Sequence, residues 1–153
     1  MDTIIQWNCR GFKVNLIEIT LLVQSFLPIA FCLQETHLKE TDNLSLKGYS
    51  MHNVYDRSGR ASGGSSILVK DGVIHSPITL TSDLQAVAVR LSLPKAITLC
   101  SLYISPNEVV SLQQLKDLTN QLPEPFLLMG DFNAHNPLWG SNTMNDKGKK
   151  VDY

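Results

Sequence analysis

Apolar and polar positions along the chain switch repeatedly between the two-residue period of strands and the three-to-four-residue period of helices. Thr3-Ile4-Ile5-Gln6-Trp7-Asn8 is β-branched and aromatic and predicts a strand ending in the turn Asn8-Cys9-Arg10-Gly11. From Val14 to Phe26, Leu16, Ile17, Ile19, Leu22, Val23 and Phe26 recur at helical spacing, with Asn15 placed to cap the helix and Pro28 to stop it. Ile29 to Leu33 is an unbroken apolar run, hence a buried strand, ending in Gln34-Glu35-Thr36-His37. The chain therefore opens strand, helix, strand.

Tyr49 to Tyr55 and Ile67 to Val69 predict two more strands. The Gly/Ser-rich stretch Asp56 to Ser66 between them lacks Walker spacing and reads as a flexible hairpin connection rather than a phosphate cradle. Asp71-Gly72 is a strong hairpin signal that predicts Val73 to Ile78 pairing back. Val87, Val89, Leu91 and Leu93 alternate with Ala86, Ala88, Arg90 and Ser92, the pattern of a half-buried antiparallel strand, and Ile97 to Ile104 returns beside it. Leu112, Leu115, Leu118 and Leu122 mark a helix capped by Ser111 and closed by Pro123. Phe126 to Met129 is the last buried strand, and at Gly130 its apolar pattern breaks into Asp131-Phe132-Asn133-Ala134-His135-Asn136.

Composition narrows this picture. At 153 residues, 43% hydrophobic and 18% charged, the chain suits about one globular domain. A net charge of −1 gives no global attraction for nucleic acid, so any such contact needs local patches. Cys9, Cys32 and Cys100 sit in apolar runs without metal-ligand spacing, which predicts buried free thiols in a reducing compartment. No cationic stretch precedes an apolar leader segment and no run reaches the ~18 apolar residues of a membrane span, so neither a secretion signal nor a membrane association is expected.

Four strand-like runs end in polar groups of one kind: Asn8, Glu35, Tyr103, then Asp131 with Asn133. In extended backbone Asp131 and Asn133 share a face, with Phe132 opposite. If the sheets pack face to face, these ends gather at one rim. Two carboxylates, Glu35 and Asp131, suit a hard cation held through oxygen, while the carboxamides and the phenol orient a phosphate or a water. That set is the toolkit of metal-assisted phosphodiester hydrolysis. His37 and His135 are as readily surface or loop residues, Trp139 an anchor of its loop, and the basic run from Lys147 to Lys150 a solvated face.

The segments QWNCRG, LQETHL, YISP and GDFNAHNPLWGS occur in this order and together resemble the endonuclease/exonuclease/phosphatase superfamily. NCRG and the NAHNPLWGS extension resemble in particular the apurinic-endonuclease-like domain of non-LTR (LINE-type, jockey-like) retrotransposons. The resemblance implies an α+β fold, a four-layer α/β/β/α sandwich of the DNase I-like type with its second sheet incomplete. It implies Mg²⁺ (or Mn²⁺) on Glu35, with Asn8 supporting the metal or a phosphate oxygen. Tyr103 would contact the scissile phosphate, Asp131 orient or deprotonate water, and Asn133 stabilise the transition state. Arg10 stands where the repair enzymes carry Asp, so no metal role passes to it. Arg10, Arg57, Arg60 and Lys147 are the candidate DNA contacts. The implied partners are double-stranded DNA and a downstream reverse transcriptase, and the implied place of action is the nucleus. Members of the family continue to a Ser-Asp-His motif, which is not found here. Residues 1–153 are therefore expected to form a single domain incomplete at its C-terminal side, weakly stable and slow or inactive as a nuclease. A phosphoesterase acting on lipid or inositol phosphates and a non-catalytic retroelement remnant remain the alternatives.

Overall fold

The structure, a computed structural model, describes residues 2–151. In chain order its elements are β1 (Ile4–Asn8), α1 (Leu16–Phe26), β2 (Ala30–Gln34), β3 (Tyr49–Val54), β4 (Ser65–Lys70), β5 (His75–Ile78), β6 (Gln85–Leu91), β7 (Ile97–Tyr103), α2 (Leu112–Thr119), β8 (Phe126–Asp131) and α3 (Asp146–Val151). They build two four-stranded sheets, ordered β1-β2-β4-β3 and β5-β6-β7-β8. β1 runs parallel to β2 and β8 parallel to β7, while the remaining neighbours are antiparallel.

Three apolar layers hold these sheets. Ala30, Cys32, Ile67, Val69, Val89, Leu91 and Leu99 fill the space between them. Phe31, Leu33 and Leu68 point the other way, onto Ile19 and Val23 of α1. Ala88, Cys100 and Leu102 likewise pack against Leu118 of α2. Alternation along each central strand thus feeds two different cores, and the result is the expected four-layer sandwich. Among the described residues no helix is long and apolar enough to cross a membrane. Cys9, Cys32 and Cys100 are buried free thiols. Burial pushes them up to about 11, 12 and 12, so they stay protonated and inert at neutral pH.

The structure corrects several expectations. The Asp71-Gly72 turn does not close a hairpin. The chain crosses there to the second sheet, where β5 pairs with β6, so the local turn signal is overridden by the apolar demand of the other layer. β6 is not half-buried. Its Ala86 and Ala88 face is covered as well, because α2 lies on it. Arg90 on that strand turns aside to donate to Thr98 Oγ1 at 2.9 Å and to the Pro123 and Pro125 carbonyls. Asn15 makes no capping bond to α1; its Nδ2 donates instead to the Cys9 carbonyl at 2.6 Å, closing the β1–α1 turn. Ile17 and Phe26 of α1, expected on its apolar face, are exposed. Ser111 does cap α2, in a reciprocal capping box with Gln114.

Candidate active site

Parallel pairing places the C-terminal ends of β1 and β2 side by side, and it does the same for β7 and β8. The two pairs face each other across the sandwich, so Asn8, Glu35, Tyr103 and Asp131 arrive at one rim. The Asn8 carboxamide joins the two sides. Its Nδ2 donates to Glu35 Oε1 at 2.9 Å and to Asp131 Oδ2 at 2.6 Å, a contact between residues 123 positions apart. Asp131 Oδ1 accepts from the Asn133 amide at 3.0 Å, and Glu35 Oε2 lies 3.6 Å from His37 Nε2. Each carboxylate oxygen has a partner and still keeps a lone pair for a further ligand. Tyr103 is almost fully buried. Burial first, then the charges of Glu35 and Asp131, pushes its phenol up to about 12, so it keeps its proton.

The backbone at this rim is unusual. Among the described residues five non-glycine positions have positive φ, and Arg10, Glu35, His37 and Asn133 lie here while Leu27 lies elsewhere. Such conformations cost about 1–3 kcal/mol each and persist where surrounding contacts impose them. For Glu35 those contacts are visible: Gly11 N donates to Glu35 O at 2.7 Å and Phe12 N to Thr36 O at 2.8 Å. From the other side Gly63 O accepts from His37 N at 2.9 Å. The Asp56 to Ser66 loop, read as a hairpin connection, does join antiparallel β3 and β4. It also serves as a buttress for the Glu35 segment, and a Cβ on Gly64 would meet Thr36 Oγ1 at 2.7 Å. Asn133 departs from the extended backbone expected of it. With φ at 45° it turns back and its Nδ2 donates to Ile104 O at 2.8 Å.

Beneath the rim lies a polar seam that periodicity did not mark. Fully buried Gln34 donates to Ser101 Oγ at 2.8 Å, and Ser65 and Ser101 share a hydroxyl contact at 2.6 Å. These bonds tie β2 and β4 to β7 next to Glu35, fixing the spacing of the two sheets where it matters chemically. A cleft of about 540 Å³ opens on the β1 and β8 side, lined by Asn8, Asp131, Asn133, His135 and Trp139 among others.

The predicted cationic contacts divide. Arg10 is exposed at the rim, its amide donating to Asn8 Oδ1 at 3.2 Å. Arg60 is exposed on the buttressing loop. Arg57, on the same loop, is engaged with Asp83 at 2.7 Å in an exposed ion pair. Lys147 is corrected: it belongs to no solvated basic face. It is buried, and its Nζ donates to the Ser105 carbonyl and, at 2.8 Å, to the Pro106 carbonyl. Lys150 is likewise engaged, donating to Val110 O at 2.7 Å. These lysines dock α3 onto the segment after Tyr103, because the carbonyls there have no strand partner.

Asn145 is a site residue that sequence reasoning missed. Its Oδ1 accepts from His135 N at 3.0 Å and Gly148 N at 2.8 Å, and its Nδ2 donates to Asn133 O at 2.8 Å. One side chain thus caps α3 and holds the loop after Asp131. The only sequence signal was an Asn three residues before Gly148, where a Cβ would fall 1.9 Å from His135 O. Asn145→Ala should lower stability by about 1–2 kcal/mol, the cost of a lost cap. Amide exchange at Asn133 to His135 should quicken with it; unchanged protection there would contradict this role.

Fold and rim together define a two-sheet α/β/β/α sandwich that gathers polar strand ends, two of them carboxylates, at one edge. The chain belongs to the Endonuclease/Exonuclease/phosphatase family, whose pattern it matches over residues 5–151. It is 29% identical over 148 residues to the RNA-directed DNA polymerase from mobile element jockey of Drosophila melanogaster, covering 95% of this chain and 16% of that protein. It is 31% identical over 149 residues to a probable RNA-directed DNA polymerase from transposon X-element of the same fly, again 95% and 16%. The expected likeness to jockey-like retroelements is therefore met, and the chain spans about a sixth of those relatives' length. Among solved structures, the endonuclease domain of TRAS1, a telomere-specific non-LTR retrotransposon, superposes with a TM-score of 0.78 at 20% identity, covering 97% of this chain and 68% of that one. The AP endonuclease LMAP from Leishmania major gives 0.67 at 20% identity, covering 94% and 59%.

Proposed function

We propose that the protein is a divalent-metal-dependent endonuclease that nicks double-stranded DNA for a non-LTR retroelement, acting in the nucleus alongside a reverse transcriptase. The observation that carries this reading is the Asn8 carboxamide bridging Glu35 and Asp131 across the two sheets. It brings two carboxylates together at strand ends above a rigid, buried polar seam.

The donor set fits a hard cation. Among the described residues no group of three or more His, Cys, Asp or Glu side chains gathers to hold a metal. Mg²⁺ does not need one, since it is commonly held by one or two carboxylates together with waters and substrate phosphate. Glu35 is the principal ligand in this reading, with Asp131 and the Asn8 carboxamide beside it. When bound, Mg²⁺ or Mn²⁺ supplies charge neutralisation at the phosphate and acidifies a water.

The chain's own groups do the rest. Asp131, held by the Asn8 carboxamide and the Asn133 amide, uses its remaining lone pairs to orient the attacking water. Tyr103 keeps its proton and offers a phenolic O–H to a phosphate oxygen. Asn133 is anchored through one N–H to Ile104 O, leaving the other N–H of the amide for the developing negative charge. Arg10 and Arg60 are the exposed cations placed to meet the DNA backbone, so binding should weaken with salt. The test sets supercoiled plasmid against a soluble inositol phosphate under equal Mg²⁺. Cleavage of plasmid alone supports the reading; turnover of inositol phosphate alone replaces it with a small-molecule phosphoesterase.

A further inference from the structure

On the side of the sandwich away from β1 and β8, two histidines close the gap between the sheets. His52 sits on β3, an edge strand of the first sheet, and His75 begins β5, an edge strand of the second. Their Nε2 atoms are 2.8 Å apart, with the rings nearly perpendicular at 86°. His75 Nδ1 lies 2.8 Å from the Val73 carbonyl. A carbonyl only accepts, so this contact uses the Nδ1–H tautomer, in which Nε2 presents its lone pair towards His52. An imidazole fixed this way by a backbone carbonyl has the outer contact typical of a metal-ligating histidine.

We propose that His52 and His75 form a two-histidine site for a borderline transition-metal dication such as Zn²⁺, Ni²⁺ or Cu²⁺, with water completing the coordination. Moving the His52 proton from Nε2 to Nδ1 turns the imidazole–imidazole hydrogen bond into two converging lone pairs. Zn–N bonds of about 2.0–2.1 Å in tetrahedral geometry set two ring nitrogens roughly 3.3 Å apart, so the edges need to part by only about half an ångström. Burial, and then the neighbouring His75, holds the His52 ring below its usual range and so in the neutral form that binds metal. Imidazole nitrogens select such ions over Mg²⁺, whereas the carboxylate rim selects the reverse. The two sites therefore differ in chemistry as well as place. The three thiols, soft ligands that would otherwise compete, are all buried. A metal here staples β3 to β5 at the edge where the sheets are joined by no other side-chain bond between these strands among the described residues.

The test is a Zn²⁺ titration of metal-stripped protein in excess Mg²⁺, read by calorimetry and thermal unfolding. One equivalent should bind, and Tm should rise by about 5–10 °C at a hundredfold excess over Kd. His52→Ala and His75→Ala should each abolish that rise, while His37→Ala and His135→Ala keep it. Cu²⁺ electron paramagnetic resonance of the unaltered protein should show two nitrogen ligands, a readout independent of how the variants fold. Absence of the rise, its survival in the His52 and His75 variants, its loss with His37 or His135 instead, or a copper signal without two nitrogens would each overturn the proposal.

Discussion

Gly130→Ala is expected to destabilise the protein by at least about 3 kcal/mol, lowering Tm by roughly 6–12 °C. Gly130 stands inside β8, opposite Leu102 of parallel β7. A Cβ built on it would lie 1.8 Å from the Leu102 carbonyl oxygen and 2.8 Å from the carbonyl carbon. Both are backbone atoms, so no rotamer change relieves the overlap and the strands must part. They part at the residue before Asp131, which makes the damage local as well as global. Thermal unfolding by circular dichroism measures the loss, and amide exchange at Ile104, which bonds to Asp131 O, shows where it begins. A variant with unchanged Tm would mean that β7 and β8 do not approach in this way.

The second large effect is chemical. Asp131→Asn preserves shape and keeps an oxygen for the Asn133 amide, but it turns an NH2 towards the Asn8 Nδ2 donor and removes the charge proposed to orient the attacking water. Loss of a positioned acid–base group lowers rate by about 10²–10⁴-fold. The nicking rate under single-turnover conditions should fall by that factor, with little change in DNA affinity and a fall in Tm from the lost Asn8 contact. A loss smaller than about tenfold would move the role to another residue; His135, in the same cleft, is the next candidate.

Much of this was legible in the sequence where one physical signal dominated. Period-two and period-3.6 patterns located the strands and the helices α1 and α2, because burial on defined faces leaves a regular trace. The rim residues Asn8, Glu35, Tyr103, Asp131 and Asn133 were found because polar groups interrupt apolar strands at their ends. What stayed hidden depended on contacts distant in sequence. The Asp71-Gly72 turn carries the same local signal whether the next strand pairs back or crosses to the other sheet. Lys147 looks like a surface lysine until the carbonyls of Ser105 and Pro106 appear beside it. Gln34, Ser65 and Ser101 read as interruptions of apolar strands and are a buried seam. The positive φ of Glu35 and Asn133 has no compositional marker, since the strain is imposed by neighbouring loops rather than by the residues themselves.

The most direct measurement is the conversion of supercoiled plasmid to nicked circles by the purified protein in Mg²⁺, compared with EDTA and with Glu35→Gln. The rim as assigned predicts slow nicking that requires the metal and falls at least a hundredfold, about 2.7 kcal/mol of barrier, when Glu35 loses its charge. Nicking at an equal rate in EDTA or in the Glu35→Gln protein would contradict it.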